Sequence, residues 1–281
     1  QTMGPFNTWF NRLMAKMFLS RMSVIVPRGL ESLAHVRSLE LPESVRVEYY
    51  DDAAFSLVVP EEVDAMISER FRNVFRGKKL VGLSVNSIVQ RKCRELGIDY
   101  LGAWVKFIDC LTDEGYGVLL IPHSIREGAK TDHNNDLLAV DDILSAISPV
   151  AAEKITVVRE NFDCKQLRDV VGLTDIYVSS RFHAMISALC TETPVLVFGW
   201  GFQKYREVMR RFELEEYCFD CREISAPRLI AEFKRVEHDC GKIAGLIRKN
   251  APRVRASSLH NHEAALALAV GGEIPAGLET E

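Results

Sequence analysis

The sequence predicts an α/β protein in which a Rossmann-like parallel-sheet domain follows a smaller, partial α/β unit. Two observations carry that expectation. Beyond residue 76, strand and helix patterns alternate regularly, and the strands are near-continuous apolar runs, as burial on both faces of a parallel sheet requires. Within this region, the stretch from Asp175 to Trp200 reads as a strand, a polar turn, a helix with Met185, Ile186 and Leu189 on its apolar face, and a second strand opened by Pro194. That order is a βαβ unit.

Taken in order, Gln1 to Phe6 reads as a turn after a strand end, and Phe10, Leu13, Met14 and Met17 carry a helical pattern. The chain is expected to begin in mid-domain. Met22–Arg28 is a strand, a helix opens near Gly29, and a further strand from Val45 ends at Asp51-Asp52. Glu61–Arg76 is polar and reads as a linking helix and hinge, so residues 1–75 form the first unit. Strands follow at Lys79–Val85, Gly117–Pro122, Ile155–Val158, Asp175–Ser179 and Pro194–Phe198, with a short sixth near Tyr217. Helices are expected over Leu101–Leu111, Asp136–Ile147, Lys165–Val171, His183–Cys190 and Lys204–Phe212. Two more, Pro227 to about Ile247 and Ser257–Val270, complete a second domain over 76–270, and 271–281 reads as a mobile tail.

Composition narrows the function. Thirty-five Lys and Arg against 39 Asp and Glu, without a basic block, argue against nucleic acid as a partner. No apolar run reaches the length that spans a bilayer, and the start lacks the form of a signal peptide, so a cytoplasmic protein is expected. Seven scattered cysteines argue against a disulfide framework. Cys218 and Cys221 have the C-x-x-C spacing, but without a second pair or a neighbouring histidine they do not make a zinc site, and no metal is expected.

Polar residues gather at the carboxyl ends of the predicted strands, which share one edge of a parallel sheet, where open α/β sheets bind ligands. They are Asn86-Ser87, then His123-Ser124-Ile125-Arg126, then Arg159-Glu160, then Ser180-Arg181 with His183, then Gly199-Trp200-Gly201. Arg181 and His183 stand at a helix start, whose unpaired N–H groups favour an anion such as phosphate or carboxylate. Each residue also has a structural alternative. Arg181 and Arg28 can pair with acidic neighbours, His183 can be a satisfied buried histidine, and His123 and Arg126 can lie on a solvated face. Trp200 can be a core plug, although glycines on both sides permit close approach. Lys204 and Glu207 have the spacing of a surface ion pair.

Several of these pieces together resemble the polysaccharide pyruvyl transferase family. They are Gln1-Thr-Met-Gly-Pro-Phe6, Arg28 with Glu31-Ser32, Asp52-Ala-Ala-Phe55, Ile121-Pro-His123, Ser180-Arg-Phe-His183-Ala184, Thr193-Pro-Val195, Gly199-Trp200 and Lys204-Tyr205. The resemblance covers roughly Gln1 to Arg222, and the Ser-Arg-Phe-His-Ala element followed by Thr-Pro-Val is its most specific part. It implies a GT-B-like fold and transfer of pyruvate from phosphoenolpyruvate to a sugar or glycan acceptor, free or lipid-linked, commonly as a cyclic ketal. It implies no cofactor, and a cytoplasmic place that extends to the inner membrane face.

Carried over by motif, His183 is the catalytic residue and Arg181 a donor-binding residue, with Arg28 and Arg126 as further matches. His123, Ser180, Asn86, Trp200 and Lys204 complete the expected substrate-binding set. Two features depart from the family pattern. The glycine-rich strand and turn with which such domains begin would lie upstream of Gln1, so the first domain is expected to lack roughly its first half, and Asn86 stands where members usually carry a more basic residue. Two other readings compete. One is a nucleotide-sugar GT-B glycosyltransferase, whose ribose-binding glutamate would fall near Ser187; the other is a non-catalytic glycan-binding or partner subunit. Oligomeric state is left open.

Overall fold

The computed structural model describes residues 3–58, 71, 77–126 and 135–278. The chain divides into two compact units, one of residues 1–57 with 250–281 and the other of residues 58–249.

In the first unit, helix α1 (Trp9–Leu19) is opened by Thr8, whose hydroxyl accepts from Asn11 N–H, and it buries no residue fully. Strand β1 (Val24–Ile25), helix α2 (Leu30–Arg37) and strand β2 (Arg46–Val47) follow. The strands pair in parallel, Val24 opposite Arg46 and Ile25 opposite Val47. Ile25, Val36 and Val45 form a small core, with Met3, Leu19, Leu41 and Val47 packed against it.

The second unit contains the six-stranded sheet. Its strands are β3 (Leu80–Ser84), β4 (Gly117–Leu120), β5 (Ile155–Val157), β6 (Ile176–Ser179), β7 (Val195–Gly199) and β8 (Cys218–Asp220). All are parallel, in the order β5-β4-β3-β6-β7-β8. Numbered within this unit the order is 3-2-1-4-5-6, that of a doubly wound dinucleotide-binding sheet, and the winding reverses between β3 and β6. Every residue of β3, β4, β6 and β7 is buried. This is why the sequence runs apolar without alternation: each Val or Leu taken fully from water contributes about 1.5–3 kcal/mol.

The helices between the strands are α3 (Ser87–Glu95), α4 (Tyr100–Asp113), α5 (Leu137–Ala146), α6 (Pro149–Ala152), α7 (Cys164–Gly172), α8 (Phe182–Cys190) and α9 (Phe202–Arg211). The sequence reading lacks α3. Its charged composition masks a stripe in which Val89 and Cys93, four apart, are the buried apolar residues. Asn86, read as a strand-end residue, is its cap: the side-chain oxygen accepts from Ile88 and Val89 N–H.

The carboxy-terminal part also differs from expectation. The two predicted helices are one, α10 (Ala226–Val270), which runs through Pro252. Proline inside a helix costs about 3 kcal/mol. The continuous buried stripe of Ile243, Ile247, Asn250, Val254 and Ser257, at spacings of three and four, holds the helix on both sides of it. Residues from Asn250 onward belong to the first unit, not to the second as the 76–270 division expects. They are bonded there: Ser257 Oγ accepts from Asp51 N–H, and Ser258 Oγ donates to the Asp52 carbonyl.

The expected mobile tail is tied down as well. Leu278 N–H donates to the Tyr49 carbonyl at 2.8 Å, Gly277 N–H to Glu48, and the Tyr50 hydroxyl to the Pro275 carbonyl. Backbone groups beside β2 thus find partners that a free tail would leave to water. The linking helix expected over 61–76 lies outside the described residues except for Phe71, which is helical and buried.

Candidate functional site

The point where the winding reverses brings the ends of β3 and β6 side by side, with Ser84 opposite Ser179. Crossovers leave in opposite directions there, which opens a crevice at the carboxyl edge. Asn86, two residues beyond Ser84, and Ser180, next after Ser179, are both built into the frame. Ser180 is fully buried; its Oγ donates to the Ser84 carbonyl at 2.9 Å and bonds the Tyr100 hydroxyl at 3.1 Å. The Ser180 carbonyl accepts from Asn86 Nδ2 and from the Tyr205 hydroxyl. Two tyrosines and an asparagine therefore clamp the turn that leads into α8.

Arg181 is the residue before α8 and gives the helix no side-chain cap. Its guanidinium is held by Asp136, Nε to Oδ2 at 2.9 Å and Nη2 to Oδ1 at 2.5 Å, a bidentate pair whose carboxylate is fully buried. The pairing named as the structural alternative for Arg181 is thus present. It does not exhaust the side chain: a guanidinium has five donors, and the end-on fork of Nη1 and the second Nη2 hydrogen bonds no described residue. Asp136 also accepts from Ser87 N–H, and the main-chain N–H of His123 lies near enough to favour its charged form. Burial pushes its carboxyl up, and Arg181 with those two N–H groups pulls it back. One carboxylate thereby joins the ends of β3, β4 and β6.

His123 follows β4 and is not on a solvated face. Its Nε2 lies 2.8 Å from the Tyr177 hydroxyl. Desolvation pulls the imidazole down to about 3, and the charges of Arg181 and His183 add to the shift. His123, Arg181 and His183 are therefore one electrostatic cluster. His183 is exposed on the first turn of α8 with its ring against Phe182, so it is not a buried structural histidine. Arg126 is exposed at the end of the described loop, where it makes no ion pair with a described residue.

Other expected residues lie at the margins. The glycine before Trp200 admits a tyrosine, not a ligand: a Cβ on Gly199 would stand 2.4 Å from Tyr205 Cδ2. Trp200 is half-buried under Lys92, whose Nζ is 4.8 Å from the ring centroid. Lys204 Nζ lies over the Phe182 and Tyr205 rings at 5.5 and 5.3 Å. Glu207, expected in a surface ion pair with Lys204, is buried. Arg159 pairs with Asp141 on the surface at 2.7 Å. Arg28 belongs to the first unit, where its Nη1 donates to Asp52 at 2.9 Å. Asp136, Tyr177 and Tyr100 escaped the sequence reading because each acts through a long-range contact that no spacing encodes.

Among the described residues no group of three or more His, Cys, Asp or Glu side chains is placed to hold a metal, and no helix is long and apolar enough to cross a membrane. The C-x-x-C pair is buried, and burial pushes the Cys218 thiol up to about 12, away from the thiolate that zinc requires.

The six-stranded parallel sheet with its polar cluster at the switch point is Rossmann-like, and comparison with solved structures places the chain among GT-B-like folds. A Staphylococcus aureus MnaA–UDP complex matches with a TM-score of 0.62 at 14% identity, over 98% of this chain and 68% of its own. A UDP-forming trehalose-phosphate synthase from Burkholderia xenovorans matches at 0.61 and 10% identity, over 95% and 66%. A UDP-GlcNAc 2-epimerase from Neisseria meningitidis matches at 0.57 and 12% identity, over 93% and 65%. A Candida albicans trehalose-6-phosphate phosphatase N-terminal domain matches at 0.55 and 9% identity, and this chain spans 58% of its length. No curated protein matches. The chain belongs to the polysaccharide pyruvyl transferase family, whose model matches residues 1–201. That is a family of transferases, and its name implies a glycan acceptor.

Proposed function

We propose that the protein transfers the pyruvyl group of phosphoenolpyruvate to a pair of hydroxyls on a sugar of a surface polysaccharide or its precursor, forming a ketal. The observation that carries this reading is the Arg181–His183–His123 cluster at the switch point, organised by the buried Asp136. Phosphoenolpyruvate has two anionic groups of the planar or trigonal kind that a guanidinium fork binds. The fork of Arg181 that bonds no described residue, and the start of α8, which carries no side-chain cap, both favour such a group. Arg126 supplies a further cation from the adjoining loop.

The chemistry needs a proton on the donor's methylene carbon. Its delivery leaves a cationic C2, a sugar hydroxyl adds there and gives up its proton, and a second hydroxyl displaces phosphate, its proton leaving with the phosphate as the ketal closes. The carbon acid must titrate near working pH and reach solvent for reprotonation. His183, exposed on the first turn of α8, meets the second condition.

A nucleotide-sugar reading gains less support. Ser187, at the place of a ribose-binding glutamate, is buried and donates back to the His183 carbonyl at 3.1 Å. A cytoplasmic location, absence of a cofactor and a glycan acceptor, free or lipid-linked, belong to the same proposal. The test is phosphate release from phosphoenolpyruvate with candidate glycan acceptors. His183→Ala is expected to abolish it; release unchanged in that variant rules the reading out.

A further inference from the structure

Tyr177 is fully buried in the middle strand pair, and its ring lies across Gly82 of the neighbouring strand. A Cβ at residue 82 would stand 2.6 Å from Tyr177 Cδ2 and 2.7 Å from Thr174 Cγ2. The glycine leaves the space in which the phenol extends to the carboxyl edge, where its hydroxyl meets His123 Nε2 at 2.8 Å.

The direction of that hydrogen bond follows from what each group can do. Burial holds the phenol far above its ordinary pKa, so the proton stays on oxygen. A buried O–H needs an acceptor, and among the described residues His123 Nε2 is the acceptor within normal geometry. The nearby Ser84 hydroxyl makes no hydrogen bond with a described residue, the phenol included, so it does not compete for that proton. A histidine protonated on Nε2 would aim its hydrogen at the phenol oxygen and leave the phenol's own proton unpaired inside the sheet. Nε2 therefore accepts, and the imidazole proton is on Nδ1. Nδ1 bonds no described residue, and the ring is close enough to Arg181 and His183 to feel the charge of both.

The geometry points to Tyr177 as a positioning residue that fixes His123 in the Nδ1–H form, making His123 an uncharged hydrogen-bond donor to an oxyanion held beside Arg181. The two histidines then have different tasks. His123 binds without titrating, and His183 is the group left to move a proton. The inference rests on the pyruvyl-transfer reading for the identity of the oxyanion, not for the tautomer.

Nuclear magnetic resonance of the ring-15N-histidine protein at pH 7 tests it, with His123→Gln assigning the resonance. In the wild type, Nε2 is expected unprotonated and Nδ1 protonated. Tyr177→Phe, which removes only the hydroxyl, is expected to give both tautomers. Inorganic phosphate is expected to shift the His123 Nδ1 resonance of the wild type, and Tyr177→Phe to raise KM for phosphoenolpyruvate about tenfold with a smaller change in kcat. A wild-type Nε2–H form, or an unchanged tautomer in Tyr177→Phe, overturns the positioning role. An Nδ1 resonance indifferent to saturating phosphate overturns the donor role, as does an unchanged KM. Should Tyr177→Phe not fold, the wild-type spectrum with and without phosphate decides both points. The expected tautomer and phosphate shift, found together with no acceptor-dependent phosphate release, would overturn the pyruvyl-transfer reading and leave the tautomer standing.

Discussion

Acidification from pH 7 to pH 5 should destabilise the protein through His123. The imidazole is pulled down to about 3 in the fold, from its ordinary value of 6.5. A base whose folded pKa is depressed contributes full stability above the unfolded value and loses it as pH falls towards the folded one, because the unfolded chain takes up a proton that the fold refuses. With about 1.4 kcal/mol per pH unit, the loss is about 0.8 kcal/mol at pH 6 and about 2 kcal/mol at pH 5. Carboxylates stabilised by partners, such as Asp220 beside Arg222 and Glu216 beside Lys242, titrate below this window. The assay is urea unfolding at pH 7, 6 and 5 for the wild type and His123→Gln. The variant is expected to lose about 2 kcal/mol less than the wild type between pH 7 and 5. Parallel pH dependences in the two proteins would refute the claim that the fold holds His123 uncharged.

Three other variants test the frame around the site. Asp136→Asn breaks a buried bidentate pair with Arg181, which should cost about 3 kcal/mol in urea unfolding; an unchanged midpoint would show that the pair carries no stability. Gly82→Ala places a methyl group against Tyr177 and Thr174, for an expected loss of about 1–3 kcal/mol; a neutral result would mean that the Tyr177 ring moves aside freely. Asn86→Ala removes the acceptor for two N–H groups of α3 and should cost about 1 kcal/mol by the same measurement, with an unchanged midpoint contradicting the capping role.

Much of the second unit was legible because burial on both faces leaves a simple trace: apolar runs at 80–84, 117–120, 176–179 and 195–199 admit little but parallel strands. The carboxyl edge followed from the same pattern, since every such strand ends on it. Features that depend on distant partners were not legible. Asp136 looks like an ordinary helix-start residue until Arg181, 45 positions away, is placed against it. Ser180 and Asn86 looked like free polar groups at strand ends, and only the packed sheet shows their hydrogen bonds closing on one another. The continuity of α10 through Pro252 was hidden for a related reason, because a local penalty was weighed without the buried stripe that opposes it.

The central claim is that the switch-point cluster handles an anionic donor and moves a proton with His183. Its most direct test is acceptor-dependent phosphate release from phosphoenolpyruvate by the wild type, by His183→Ala and by Arg181→Lys, each checked for folding by its unfolding midpoint. Release by the wild type is expected, with none from folded His183→Ala and a raised KM in Arg181→Lys, whose ammonium cannot reproduce the fork. Release from His183→Ala at the wild-type rate would contradict the account.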